Sequence, residues 1–159
     1  MNLSGNAMTA IEGLDQLAKL QILSVSFNKL TELDAANLSP SIVELDISNN
    51  SISDISSFST MDALVALNIS YNQVKKLPTF SKDCALVTIK ASNNQLTSVK
   101  ELSGLKNLQY VIADFNEDLN SVSPLLDCYA LVQLSVYGTK VRDVSELIKM
   151  GVSVRYTPI

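Results

Sequence analysis

The chain has 159 residues, 47% of them hydrophobic, with a net charge of −4 and no histidine. Its lysines and arginines are scattered singly, without the basic stripe that phosphate backbones demand, so no nucleic-acid partner is expected. No apolar run approaches the roughly 20 residues of a membrane helix, and the commonest general base and metal ligand is missing, so no membrane, metal or cofactor is expected.

Residues 1–6 begin in mid-turn, with Leu3 at a strand position, Asn6 closing the segment and no apolar half-turn before them. This start reads as a piece of a longer protein with a poorly capped N-terminal end. Asparagine then recurs at Asn28, Asn50, Asn72, Asn94 and Asn116, 22 residues apart each time, and Thr139 takes the seventh place. The same apolar frame surrounds each: LQILSVSFNKLTEL at 20–33, IVELDISNNSISDI at 42–55, LVALNISYNQVKKL at 64–77 and LVTIKASNNQLTSV at 86–99. Looser copies follow, LQYVIADFNEDLNSV at 108–122 with one extra residue and LVQLSVYGTKVRDV at 131–144. A fixed period of this length predicts a solenoid of about seven turns in one domain spanning 1–159.

The frame resembles that of the leucine-rich repeat family, LxxLxLxxNxLxxL, from residue 3 to residue 144, most closely its short 22-residue intracellular class. The resemblance implies an α/β solenoid with a curved parallel sheet on the concave side and 3₁₀ or irregular turns on the convex side. Within the class, similar domains serve regulatory, dynein, spliceosomal and basal-body scaffolds, but none of their contact residues lines up here. The expected fold class rests on the residues as well. Before each asparagine, apolar and polar side chains alternate, as in Leu45 and Ile47 against Glu44, Asp46 and Ser48, which is the period of a strand with one buried face. After it the spacing widens to about three, as in Ile52, Ile55 and Phe58, which suits 3₁₀ turns. Pro78 and Pro124 fall in this outer segment, where no sheet hydrogen bond is lost.

The asparagines have a physical role independent of the family. Where the chain leaves the strand, backbone N–H and C=O groups turn inward without sheet partners, and an amide side chain satisfies both kinds. Cys84 and Cys128 sit near equivalent positions two turns apart, about 10 Å at the spacing of neighbouring strands, too far for a disulfide and so expected as free thiols. The cysteine-rich caps of many extracellular relatives are absent, which points to a reducing compartment.

Counting back from each asparagine predicts the concave surface. Six places back stand Ile22, Glu44, Ala66, Thr88, Tyr110 and Gln133; four back stand Ser24, Asp46, Asn68, Lys90, Ile112 and Ser135. A serine column two back ends in Asp114 and Tyr137, and the column one back reads Gly5, Phe27, Asn49, Tyr71, Asn93, Phe115 and Gly138. Tyr110, Ile112, Phe115 and Tyr137, from adjacent turns, are expected to converge on one partner-binding patch. Phe27, Tyr71 and Phe115 either cover the neighbouring coil or join the interface. Ile22, Asp46 and Lys90 complete the predicted contact surface, which Glu44, Asp46 and Asp114 make slightly acidic.

At the C-terminus, SELIKMG predicts a short helix stopped by Gly151, and VSVRYTPI a last strand, so that 145–159 caps the stack. No nucleophile has an imidazole beside it and no glycine loop forms a phosphate cradle, so an enzyme is not expected. The chain reads as a protein-binding scaffold or adaptor module of a larger cytoskeletal or regulatory protein, cytoplasmic in location. Two alternatives stand beside it: a structural spacer that self-associates through its N-terminal edge, and an exported surface repeat protein.

Overall fold

The computed structural model describes residues 1–157. The expected alternation yields seven short strands: β1 (Ile22–Ser24), β2 (Glu44–Asp46), β3 (Ala66–Asn68), β4 (Thr88–Lys90), β5 (Tyr110–Ile112), β6 (Gln133–Val136) and β7 (Ser153–Tyr156). They form one parallel sheet in the order β1 to β7, each strand beside its successor in sequence. The sheet is curved and open, and the fold is a leucine-rich repeat solenoid. Register repeats the sequence period: Ile22 faces Glu44, Glu44 faces Ala66 and Thr88 faces Tyr110. One bridge, Asn2 to Ser24, extends the stack at the N-terminal side.

Because register is fixed, the inward residues line up. Leu23, Leu45, Leu67, Ile89, Val111 and Leu134 form one buried row, and Val25, Ile47, Ile69, Ala91, Ala113 and Val136 a second. Each buried Leu or Ile contributes roughly 1.5–3 kcal/mol by transfer from water, and only stacking removes both flanks of a turn from water. The convex side carries 3₁₀ helices at Leu14–Gln16, Ala35–Asn37, Ser56–Thr60, Lys100–Leu102 and Ser123–Asp127. Pro124 occupies the first turn of the last of these, where its missing donor costs nothing. Phe58, Phe80, Leu102, Leu125 and Leu147 point in from this side. The C-terminal helix α1 (Ser145–Lys149) precedes β7, which pairs with β6 and ends the sheet. The last two residues of the expected terminal strand segment, Pro158 and Ile159, lie outside the described residues.

The asparagines hold the turns together. The Asn72 amide donates to Ile47 O (2.9 Å) and Ile69 O (3.1 Å), while its carbonyl accepts from Ile52 N–H (2.9 Å). Asn28, Asn50, Asn94 and Asn116 repeat the arrangement, each tying its own turn to the preceding one. Thr139 bonds only within its own turn, donating to Val136 O and accepting from Val141 N–H, so the row of linking amides ends at Asn116.

Cys84 and Cys128 are buried free thiols, and burial, the largest influence on each, pushes both up from the usual thiol range. The Cys128 thiol donates to Leu102 O. One buried polar group is poorly served. Glu101 is almost fully covered; its Oε1 lies 4.0 Å from the exposed Lys76 ammonium, and its Oε2 has no partner. Desolvating a carboxylate for so distant a counter-ion gains little, and an apolar residue of similar volume is the better occupant. Glu101→Met is therefore expected to raise the urea midpoint by the equivalent of about 1–2 kcal/mol. A fall of that size in equilibrium unfolding would mean the ion pair is a net stabiliser.

Candidate protein-binding surface

The outward residues of β1 to β5 behave as the alternation requires, Ile22, Glu44 and Lys90 being exposed and Asp46, Tyr110 and Ile112 half-buried, but Ser135 of β6, expected on the open face, is buried against Asp114. Ile22, Asp46 and Lys90 line one shallow hollow over the first four strands, together with Glu44 and Asn68. Asp46 is partly committed to its own backbone, accepting from Ser48 N–H at 3.0 Å. The hollow ends at β4, whose Thr88 and Lys90 pair in register with Tyr110 and Ile112, and Phe115 and Tyr137 do not line it.

The column two places before the asparagines departs from the expected open face. Ser26 and Ser48 are buried, and so is Asp114, whose carboxylate is not a free charge on the groove. Asp114 Oδ1 accepts from Ser135 Oγ (2.6 Å) and Tyr137 N–H (2.7 Å), and Arg155 Nη1 approaches Oδ2 at 3.3 Å. The guanidinium carbon of Arg155 lies 4.7 Å from the centre of the Tyr137 ring, and Tyr137 meets Phe115 edge to face with centroids 5.8 Å apart. A buried carboxylate thus sits under an exposed row of Arg155, Tyr137 and Phe115, of which Arg155 is 64% and Phe115 48% exposed. Arginine and tyrosine are the residue types that dominate binding hot spots, and here the buried carboxylate bonds the Tyr137 backbone and pairs with Arg155.

Of the predicted patch, Phe115 and Tyr137 come together in this way. Tyr110 does not join them. It opens β5 opposite Gln133, four residues before Tyr137, which places it about 13 Å away along the strand direction, with Ile112 between. Arg155 was not among the expected contacts, because it belongs to the tail beyond the repeat frame.

The column one place before the asparagines holds a second departure. Phe27, Asn49, Tyr71, Asn93 and Phe115 all have φ between 54° and 57°, and Gly5 and Gly138 have φ of 70°, so each turn passes through the left-handed region here. This conformation suits glycine and asparagine, and its recurrence explains why they occupy four of the seven places. Of the aromatic residues expected either to cover the neighbouring coil or to join the interface, Phe27 and Tyr71 stand largely in water, 62% and 56% exposed, while Phe115 covers the next coil. The Phe115 ring lies over Gly138, where an added Cβ would come within 2.6 Å of it.

One hollow on the convex side gathers Glu12, Glu32, Asp34 and Asp54. Asp34 caps a 3₁₀ helix through Ala36 N–H, and Asp54 accepts from Ser56 N–H, which holds its carboxyl below the usual range. Among the described residues no group of three or more potential ligands is placed to hold a metal ion, and no helix is long and apolar enough to cross a membrane.

Comparison with known proteins agrees with this architecture. Residues 18–74 match the leucine rich repeat family model. No curated protein matches the chain in sequence. Among solved structures, internalin C2 from Listeria monocytogenes is similar with a TM-score of 0.87 and 26% identity, over 96% of this chain and 68% of that one. Another internalin of the same organism, InlF, gives a TM-score of 0.87 at 22% identity, over 98% of this chain and 47% of its own, so the chain spans about half of InlF. The leucine-rich repeat domain of APL1B is similar more loosely, with a TM-score of 0.67 at 18% identity, over the whole of this chain and 57% of that one. The repeat match, the seven parallel strands and the shared solenoid agree on one assignment: the chain has the leucine-rich repeat fold.

Proposed function

We propose that the chain is a protein-binding module, without chemistry of its own, that holds its partner on the concave face and the C-terminal edge of the sheet. The observation that carries the reading is the exposed Phe115, Tyr137 and Arg155 row seated on buried Asp114. Ile112 and Tyr110 extend it along β5 onto the concave floor, and Ile22, Asp46 and Lys90 supply a second, more polar contact region. Aromatic anchors bring large contact area at small entropy cost, while scattered charges steer little.

Affinity capture from extract of the source cells tests this, with the wild type beside a Tyr110→Ala, Tyr137→Ala double variant of equal melting temperature. A partner held by the first and weakened about thirtyfold or more in the second is expected, as for loss of a hot spot worth about 2 kcal/mol. Equal capture by both would place binding elsewhere. A protein that captures nothing and sediments as an oligomer is the self-associating spacer instead.

The adaptor is proposed as part of a cytoplasmic or cytoskeleton-associated protein. A second reading, an exported surface repeat protein, draws support from the likeness to two Listeria internalins over nearly the whole chain. Fractionation of the source cells separates the two locations.

A further inference from the structure

Phe27, Tyr71 and Phe115 stand in every second turn of the left-handed column, with Asn49 and Asn93 between them. The column continues the bonding of the sheet: Phe27 N–H donates to Ser48 O, Asn49 N–H to Ser70 O, Tyr71 N–H to Ser92 O, Asn93 N–H to Asp114 O and Phe115 N–H to Tyr137 O. Adjacent members are therefore about one strand spacing apart, and the three rings recur every 9.4–9.8 Å or so. A bulky residue in the left-handed region is strained, and Phe27 and Tyr71 stay more than half in water, so burial offsets little of the strain there; Phe115 is 48% exposed, with its ring resting on Gly138 and Tyr137. Asparagine, which the intervening turns use, adopts this conformation more cheaply. Three strained, exposed rings at one period point to a ligand with that period.

Among regular backbones, one matches. An α-helix returns a side chain to the same face after seven residues, about 10.5 Å, and drifts by nearly 1 Å at each step. A β-strand presents one face every 6.6 Å or so and turns the third residue away. Polyproline II repeats every three residues at about 9.3 Å, with solvated carbonyls free to accept from side-chain amides such as those of Asn49 and Asn93. Charge sets the rest. The hollow beside Phe115 holds Glu117 and Asp118 against Lys75, Asp118 is paired with Lys140, and Glu117 forms no ion pair among the described residues. A cationic residue at that end of the segment would complement it.

We propose that Phe27, Tyr71 and Phe115 form a docking line for a polyproline II segment of a partner protein, with proline at every third position and a basic residue beside Glu117. The inference rests on the chain's being a protein-binding module, and its line shares Phe115 with the surface proposed for the partner.

The test is titration of a fluorescein-labelled peptide of four Pro-Pro-Ala units ending in Arg-Arg into wild type, Phe27→Asn with Tyr71→Asn, Glu117→Gln, and Tyr110→Ala, each first checked by thermal melting. The wild type is expected to bind saturably, the Asn pair about tenfold more weakly, and Glu117→Gln about threefold more weakly with a flatter salt dependence. The Asn pair should melt at the same temperature as the wild type or higher, since asparagine relieves the strained backbone. Tyr110→Ala, about 13 Å along the strand direction from Tyr137 and its contact with Phe115, should retain the peptide, so loss of cellular capture there with peptide binding intact tests the two readings apart. Absence of saturable binding, equal binding of a Gly-Gly-Ala counterpart, or unchanged affinity in the Asn pair overturns the docking line. A melting temperature lowered by several degrees in the Asn pair does so too, because it assigns the rings to packing.

Discussion

Asn72→Ala is expected to lower the unfolding free energy by about 3 kcal/mol, read as a fall in the urea midpoint. The amount follows from how the amides share acceptors. Ile47 O accepts from both Asn50 and Asn72, and Ile69 O from both Asn72 and Asn94, so each carbonyl keeps one partner after the substitution. Ile52 N–H has Asn72 Oδ1 and is left buried with nothing, a loss of roughly 1–3 kcal/mol, to which two lost bonds add about 0.5–1.5 kcal/mol each. Asn72→Leu fills the space and still leaves the N–H unpaired, so it does not rescue. Asn72→Thr, which imitates Thr139, should keep a bond to Ile69 O and lose both links to the preceding turn, giving an intermediate loss. Asn6 bonds only to Leu3 O and Ser4 O at the exposed start, and Asn6→Ala should cost well under about 1 kcal/mol. An Asn72→Ala midpoint equal to that of Asn6→Ala would contradict the linking role.

The same residues show what a sequence reveals of this fold. Phase alone identifies the solenoid, because one amide serves the same two backbone duties in each of the five turns from Asn28 to Asn116. Outward strand positions follow from alternation for the same reason. Alternation fails where the strand ends: the next residues enter a left-handed turn, so Ser26, Ser48 and Asp114 are closed in and Phe27 and Tyr71 stand out. The signal was present in Gly5, Asn49, Asn93 and Gly138, the residue types that tolerate positive φ. Arg155 left no such trace. It reaches Asp114 from 41 residues away, out of a tail that does not keep the period, so no offset rule connects them. Glu101 likewise occupies an outer position that is half-buried at Ala35 and Ser57 and exposed at Thr79, and its burial depends on the packing of neighbouring turns.

Asp114→Ala should be the most damaging single change at the proposed binding surface, costing about 2–4 kcal/mol of stability and weakening partner binding as well. The carboxylate is only 7% exposed, and its removal leaves Ser135 Oγ and Tyr137 N–H without their acceptor. Arg155 loses its counter-ion but remains in water, so that half of the pair adds little to stability. Arg155→Ala should therefore cost less than about 1 kcal/mol while reducing affinity for a captured partner, which separates binding from folding. Asp114→Asn keeps one acceptor oxygen for the two neutral donors and should fall between them in stability. Denaturant midpoints for the three variants, read beside their affinities, decide the matter. If Asp114→Ala is as mild as Arg155→Ala, the carboxylate is a solvated surface charge and does not hold Tyr137 and Arg155 in place. If stability falls as expected yet Arg155→Ala binds as tightly as wild type, the buried anchor is purely structural and the partner's contacts begin at the aromatic rings.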